Sequence, residues 1–245
     1  MLPPSAPASV LSGDPSQAQA KAQAKGVSAA APSLRREDVV AHVPRWYRGE
    51  VHFALLNLLG GTLLYLVARG FPPGPLTWRT WLTVPLAFVF ANYFEWRIHR
   101  GPLHRPGWLR ILYKRHTLLH HVWFQTETMA VRSHREMKFV LFPLPALFGA
   151  ALVALPPALL CGLLAGPEAG RVFYLVAISY YLLYEWLHLA YHLPAETWLG
   201  RNPVIRWMRQ HHARHHDPRL MVHRNFNVTF PLWDALLGTL DRGPR

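Results

Sequence analysis

The sequence predicts an all-α membrane protein: a polytopic helical bundle of about four transmembrane helices with a cytosolic histidine-rich cap. Three observations predict it, namely long uncharged apolar runs, a formal charge of +13 and 15 histidines among 245 residues. Hydrophobic residues make up 51% of the chain and charged residues only 16%, which excludes a wholly disordered protein. The single cysteine excludes an intramolecular disulfide.

Composition divides the chain into two parts. Residues 1–38 are rich in Ala, Ser, Pro and Gln and lack an apolar period, so we interpret them as a disordered tail. Residues 39–245 contain all the long apolar runs. We interpret this second part as one membrane domain.

Four apolar runs are bounded by charged residues. They cover residues 51–68, 80–94, 139–167 and 172–184. A bilayer core about 30 Å thick requires about 20 predominantly apolar helical residues. The first and third runs reach this length alone, whereas the second and fourth reach it only if their helices continue through residues 95–99 and 185–192. Continuing them brings the first and third histidine clusters to the ends of membrane helices.

The distribution of the 26 Lys and Arg residues predicts the orientation. With four crossings and a cytoplasmic N-terminus, only Arg69, Arg79 and Arg171 fall outside. This asymmetry follows the positive-inside rule and predicts an integral, multi-pass protein with both termini and the histidines cytoplasmic, in a bacterial inner membrane or an endoplasmic reticulum. The excess charge thus has a topological explanation, and because no nucleic-acid motif accompanies it, we expect no nucleic-acid partner.

Most of the histidines fall in four boxes at or beyond the cytoplasmic ends of the runs. The boxes are HRGPLH (99–104), HTLLHH (116–121), HLAYH (188–192) and HHARHH (211–216). Residues i and i+4 share one face of a helix, so His188 and His192 can bind one metal. Adjacent residues such as His120 and His121 point about 100° apart, which favours two metals. Five imidazoles per metal with a vacant position are typical of a redox metal that binds oxygen.

Other polar residues near the boxes each have two candidate roles. Glu95 and Glu185 each precede a histidine box by one helical turn, and either carboxylate could accept a hydrogen bond from a ligating imidazole. The alternative is an ion pair with a neighbouring arginine. His211, His212 and His223 are intermediate, as either ligands or residues that support a ligand.

The boxes in this order, with the segment NFNVTFPLWDALLGT after the last of them, resemble the fatty acid hydroxylase and sterol desaturase superfamily of membrane di-metal oxygenases. The resemblance covers roughly residues 50–241 and implies two Fe ions as cofactor, with O2 as co-substrate. It implies one iron bound by His99, His104, His116, His121 and His215, and another bound by His120, His188, His192, His212 and His216. The second box is HX3HH, whereas many relatives have HX2HH. His211, His215 and His216 repeat the HX3HH spacing in the fourth box, so the choice between His211 and His212 stays open.

The resemblance implies an oxidoreductase that inserts one oxygen atom into a C–H bond of a membrane lipid, most simply a fatty acid or acyl lipid. A bilayer-resident substrate would enter between helices, and we expect Trp108, Trp198 and Trp207 to position its head group. The chain carries no Cys cluster and no fused cytochrome b5 domain. We therefore expect a separate electron donor: a cytochrome b5-like protein, a ferredoxin or a reductase. The oligomeric state is not indicated.

Alternatives remain at this stage. A desaturase, or a sterol or carotenoid oxidase or hydroxylase, would use the same histidines, because substrate placement and not ligand spacing separates these reactions. A non-catalytic metal-binding membrane protein or transporter belongs to another class. A transporter should carry its ligands along the spans near the midplane, whereas these boxes collect at one end. A tethering scaffold would predict no stoichiometric metal.

Overall fold

A computed structural model describes residues 36–70, 74–107 and 109–243. Every regular element within these ranges is helical, which confirms the predicted all-α class. The α-helices are α1 (Arg36–Ala41), α2 (Gly49–Arg69), α3 (Trp78–Ile98), α4 (Arg110–Tyr113), α5 (His121–Trp123), α6 (Met137–Val140), α7 (Pro145–Ala165), α8 (Pro167–His192), α9 (Trp198–Arg201), α10 (Pro203–His215) and α11 (Leu232–Leu236). Two π-helices (His99–Leu103 and Lys114–His120) and one 3-10 helix (Thr126–Thr128) lie between them.

The chain divides into a unit Met1–Ala41 and a unit His42–Arg245. Of the first unit only α1 is described, so nearly all of the predicted tail lies outside the described residues. Residues 36–38, the last three of the predicted tail, form the start of α1. The second unit contains all the other helices.

Three segments are long and apolar enough to cross a membrane: α2, the stretch Met137–Ala165 that contains α6 and α7, and α8. The predicted third run therefore extends over two helices, which are separated at residues 141–144 near Pro143. Side chains on the outer faces of these helices are exposed, with Leu58 64% and Leu163 85% exposed. An apolar outer surface of this kind is what a lipid environment requires.

The second predicted run forms α3, which is 21 residues long but is not among these three segments. It begins with a capping box in which Thr77 and Thr80 each bind the other's backbone N–H. Its last two turns carry Asn92, Glu95 and Arg97, which lower its apolar content. Asn92 and Glu95 bind the segment at residues 227–230, as described below.

The α7–α8 hairpin depends on two glycines. Gly166, between the helices, has φ +99°, a left-handed conformation that side chains other than glycine rarely adopt. At Gly170 on α8, a Cβ atom would lie 2.6 Å from the Ala158 carbonyl oxygen and 2.9 Å from the Gly162 Cα. The last turns of α7 and the first turn of α8 therefore approach closely through their backbones.

Helix α8 is the centre of the bundle and packs against α2, α3 and α7. The largest buried cluster lies between these four helices and is built from small and branched apolar residues. Its members are Leu56, Ala87, Leu147, Ala154, Ala158, Phe173, Ala177 and Ile178. Because α3 ends where His99 begins and α8 ends at His192, this packing brings the first and third boxes to the same end of the bundle.

Candidate metal centre

The ten histidines of the implied ligand set converge at that end of the bundle. None of them is more than 5% exposed. They form two groups, and within each group one nitrogen of every ring lies within 4.8 Å of the others. Group one is His99, His104, His116, His121 and His215, and group two is His120, His188, His192, His212 and His216. This division is the one that the family resemblance implies.

The pairs in group two that share a helix follow α-helical spacing. His188 and His192 are four residues apart on α8, and His212 and His216 are four apart at the end of α10. Residues i and i+4 lie one above the other on the same face of an α-helix, so both pairs present their rings to one point. His215 lies on a different face of α10 and joins group one.

The pairs in group one follow a different spacing, because π-helices carry them. His99 begins one π-helix and His104 follows its end, and the backbone N–H of His121 bonds to the carbonyl of His116 across the other. In a π-helix the hydrogen bond runs between residues five apart, so His116 and His121 lie one turn apart. The rings of His99 and His104 stack, with their centroids 5.1 Å apart. His120 then faces group two, which separates it from its neighbour His121. The repeated spacing of five residues is the sequence signal for this arrangement.

Backbone carbonyls fix the protons of five rings. A carbonyl only accepts, so each of these rings carries its proton on Nδ1 and, when neutral, leaves a bare lone pair on Nε2. The pairs are His99 with Phe226, His120 with Phe139, His192 with Met129, His215 with Arg224 and His216 with Phe124. All five Nε2 atoms point into the two groups.

The resulting contacts require a cation. Nε2 of His120 and Nε2 of His216 lie 3.1 Å apart, although the Nδ1 atoms of both rings already donate to carbonyls. Two bare lone pairs at this distance repel each other unless a positive ion lies between them. Imidazole nitrogens about 2.1 Å from one metal would lie about 3 Å from their nearest neighbours, so the donor atoms fit a metal ion.

Burial keeps the imidazoles neutral. The pKa of His116 lies well below its usual value, first because of burial and then because charge on His99 or His104 would repel it. Burial and the neighbouring rings of His120 and His215 have the same effect on the pKa of His216. A neutral imidazole is the form that binds a metal, so these rings are ready to do so at physiological pH.

The segment after α10 is held by Asp234, which accepts hydrogen bonds from the backbone N–H of Phe226 (2.9 Å), that of Asn227 (2.7 Å) and the Thr239 hydroxyl (2.6 Å). Burial raises the pKa of this carboxyl, but the adjacent His211 ring, the Thr239 hydroxyl and the two backbone N–H groups together bring the pKa below the usual value. The segment in turn supplies the carbonyl that binds His99.

The structure distinguishes the histidines that the sequence left open. His212 joins group two. His211 turns away from both groups, with its Nε2 atom 3.1 Å from the Asn227 carbonyl and 3.7 Å from Asp234. His223 is exposed and belongs to neither group.

Neither glutamate bonds to an imidazole among the described residues, contrary to the role we considered for them. Glu95 accepts hydrogen bonds from the Thr229 hydroxyl (2.6 Å) and the Tyr180 hydroxyl (2.5 Å), and from the Val228 backbone N–H. The neighbouring-arginine alternative is also wrong for this residue. Glu95 ties the segment after α10 to the end of α3, because residues 228 and 229 provide several donors close together.

Glu185 accepts hydrogen bonds from the Tyr181 hydroxyl at 2.8 Å and from the Phe142 backbone N–H at 3.3 Å. The second bond satisfies a backbone group in the non-helical stretch between α6 and α7. Glu185 is fully buried, and it braces α8 against this stretch.

An apolar cavity of about 330 Å³ lies beside group one, between α3, α7 and α8. His99 and Leu103 line the end next to the histidines, whereas Val153 and Ala177 line the other end. Cavities of this volume with few polar groups are typical ligand sites. The histidine groups are therefore reached from within the bundle by a space suited to an apolar molecule.

Two of the tryptophans that we expected at the substrate head group, Trp198 and Trp207, do not line this cavity. Trp198 is 79% exposed and Trp207 is 58% exposed. The face of α10 that carries Met208 and the histidines turns inward and leaves Trp207 outside. Trp108 lies outside the described residues.

Sequence reasoning missed several residues that support or line the site. Asp234 and Asn227 lie in the quoted C-terminal segment, but no role was assigned to them. The Thr117 hydroxyl donates to the Leu103 carbonyl at 2.6 Å and lies 3.4 Å from His104 Nδ1. Tyr184 lines the cavity. Its place one turn before His188 was the available signal.

This fold and this site define a helical membrane protein with a paired polyhistidine centre. The chain belongs to the fatty acid hydroxylase family, because the family model described as Fatty acid hydroxylase matches residues 84–239. The match begins within α3, includes all ten clustered histidines and ends after α11. No curated protein and no solved structure matches the chain. Membership in this family indicates a membrane oxidoreductase.

Proposed function

We propose that this protein is an O2-dependent di-iron hydroxylase that oxidises a C–H bond of a membrane lipid, a fatty acid or an acyl lipid. The observation that carries the proposal is the pair of buried five-histidine groups beside an apolar cavity. Imidazole is a suitable ligand for iron, and the resemblance of the histidine boxes to those of iron-dependent membrane oxygenases supports the choice of iron. Iron bound there would supply the oxidising power that inserts one oxygen atom of O2 into the C–H bond.

The residues of this chain would hold and orient the reactants. The carbonyl of Phe226 fixes the ring of His99, the one histidine of the groups that lines the cavity. Glu95 and Asp234 hold the segment that provides this carbonyl. The apolar lining excludes water from the space next to the histidines, which protects a strongly oxidising site from side reactions.

The proposed orientation places the histidines on the cytoplasmic side, with α3 as a fourth crossing beside the three apolar segments. The support is the excess of Lys and Arg in the segments that carry the histidine boxes. Several of these residues are exposed, among them Arg97, Arg105, Lys114, Arg206 and Arg219.

The reaction requires two electrons, and we propose that a separate donor provides them. An exposed basic surface favours a donor with an acidic face, since complementary charge speeds and orients association. A cytochrome b5-like protein, a ferredoxin or a reductase with such a face would fit. Association should therefore weaken as ionic strength rises.

The test is mass spectrometry of total lipids from cells grown under oxygen-18. Cells expressing the wild type are compared with cells expressing His215→Ala/His216→Ala, which removes one histidine from each group. His223→Ala is the matched control, because this histidine is exposed and belongs to neither group.

We expect lipids that gain one labelled oxygen with the wild type and with His223→Ala, but not with the double variant. Loss of two hydrogens without label would replace the hydroxylase with a desaturase. If the lipid profiles are identical, iron analysis of the purified wild type decides. Two bound irons would mean that the host lacked the donor or the lipid, whereas no bound metal would overturn the proposal.

A further inference from the structure

Among the described residues, five with polar side-chain atoms line the apolar cavity, and four of them already have partners. They are Glu95, His99, Tyr180, Tyr181 and Tyr184. The Tyr180 hydroxyl bonds to Glu95 and the Tyr181 hydroxyl bonds to Glu185, while His99 bonds to Phe226. Among the described residues the Tyr184 hydroxyl has no hydrogen-bond partner, although its oxygen is buried.

The position of Tyr184 links the cavity to the histidines. Its side chain is buried, with 7% exposure, and its ring centroid lies 5.5 Å from that of His188, one turn further along α8. The other ring in contact is that of Phe142, at 5.8 Å. A phenol hydroxyl that is buried normally finds a partner, because leaving it unpaired costs free energy. The partner is therefore expected from the molecule that fills the cavity.

We propose that the Tyr184 hydroxyl donates a hydrogen bond to the carbonyl oxygen of an acyl group whose alkyl chain occupies the cavity. This rests on the proposed function and deepens it. The bond fixes the oxygenated end of the chain next to the histidines, so Tyr184 determines which carbon faces them. The remainder of the chain extends toward Ala177, about 10 Å from Tyr184 in the N-terminal direction of α8.

The lining favours a single chain with one oxygen function. The walls are phenylalanines of α3 and small residues of α7 such as Gly149 and Ala150, which offer no hydrogen bond. The volume of about 330 Å³ is at the lower end of the range for ligand cavities, which suits one alkyl chain better than a branched or fused-ring body. One free donor in such a space matches one carbonyl.

The test measures binding of tritiated methyl hexadecanoate to the full-length protein in a steroid-based detergent, whose fused rings do not imitate an acyl chain. Competition by hexadecane, methyl hexadecanoate and hexadecanoic acid separates the chain, the neutral carbonyl and the free carboxylate. The variant is Tyr184→Phe, which removes only the hydroxyl. Tyr174→Phe is the control, because Tyr174 is also partly buried on α8 but does not line the cavity.

We expect the wild type and Tyr174→Phe to bind the ester on the order of tenfold more tightly than hexadecane, and Tyr184→Phe to lose this preference. If the acid competes best, free fatty acid is the preferred source of the acyl group; if the ester does, a lipid ester is. Equal binding of ester and hexadecane by the wild type, or no saturable binding, would overturn the proposal.

A second readout separates this proposal from the proposed function. In the oxygen-18 experiment, Tyr184→Phe should spread the label over more chain positions, while Tyr174→Phe should give the wild-type position. A protein that binds the ester through Tyr184 but holds no metal when purified would refute the hydroxylase and leave the binding role intact. An active enzyme whose product position is unchanged in Tyr184→Phe would refute the role of Tyr184 alone.

Discussion

His120 and His121 are neighbours in the chain but serve different groups. Nε2 of His120 lies 3.1 Å from that of His216, whereas Nε2 of His121 lies 3.0 Å from that of His116. This divergence depends on the π-helix, because an i→i+5 turn places His116 beside His121.

Shortening and lengthening this π-helix by one residue should therefore have different effects on the bound metal. Deleting Leu118 leaves His116 and His121 four residues apart, which matches one α-helical turn, so both metals should still bind. Inserting one alanine after Leu118 leaves them six apart, which matches neither turn, and group one should lose its metal. Iron per chain in purified protein measures both; equal loss in the two variants would show that an α-helical turn cannot replace the π-helical one.

The adjacent histidines of the fourth box should differ in their effect on metal content. His212→Ala removes a member of group two, so the bound iron should fall by about half, because a lost ligand weakens the site strongly. His211→Ala should retain the iron, since its ring contacts Asn227 and Asp234 instead. Elemental analysis of both proteins is the measurement, and similar iron contents in the two variants would contradict the assignment.

Asp234→Asn should destabilise the protein by about 1–3 kcal/mol, because one acceptor oxygen becomes an NH2 group that opposes a backbone N–H. The folded-state pKa of Asp234 is below its usual value, so the stabilisation by the carboxylate is complete above about pH 4 and disappears only as the pH falls through the folded-state pKa. Thermal unfolding at about pH 6 and about pH 8 should show the same deficit. A deficit that shrinks between these values toward the lower pH would mean that Asp234 titrates there.

Alanine substitutions at two glycines, one at the α7–α8 contact and one on α2, should have opposite effects on stability. Gly170→Ala places a Cβ atom 2.6 Å from the Ala158 carbonyl oxygen, and the separation of the helices should cost about 1–3 kcal/mol. Gly61→Ala meets no atom within 4 Å and should stabilise α2 by roughly 0.5–1 kcal/mol. Thermal unfolding in detergent compares them, and a neutral Gly170→Ala would show that the helices can separate without cost.

Much of the fold could be predicted because apolar runs and charges report directly on membrane helices. The four runs correspond to α2, α3, α6 with α7, and α8. The histidine boxes correspond to the ends of α3 and α8, to the π-helix Lys114–His120 with the start of α5, and to α10. The sequence did not predict which face of α10 is buried, because both Trp207 and the histidines are candidates for the interior. In the structure the histidines are buried, since the ten imidazoles form one buried cluster, and Trp207 is exposed.

The partners of the polar residues were harder to predict. The distance between Glu95 and His99 in the sequence fits a hydrogen bond on one helix face, yet residues 228 and 229 bind the carboxylate. A distant loop that supplies several donors outweighs one local imidazole, and its approach is not visible in a local spacing. The π-helical turns were hard to predict for the same reason. Their backbone conformation depends on bringing histidines five residues apart to the same group, and the other members of that group are distant in the sequence.

The composition of the two histidine groups has an electrostatic consequence. Each group consists of imidazoles alone, with no carboxylate among its members in the described residues, and neutral imidazoles bring no negative charge. With two divalent irons bound as proposed, the centre would retain about four positive charges in a buried space. Such a site favours anions and acidifies water that binds to it, so chloride or azide should bind to the iron-loaded protein and not to the metal-free one.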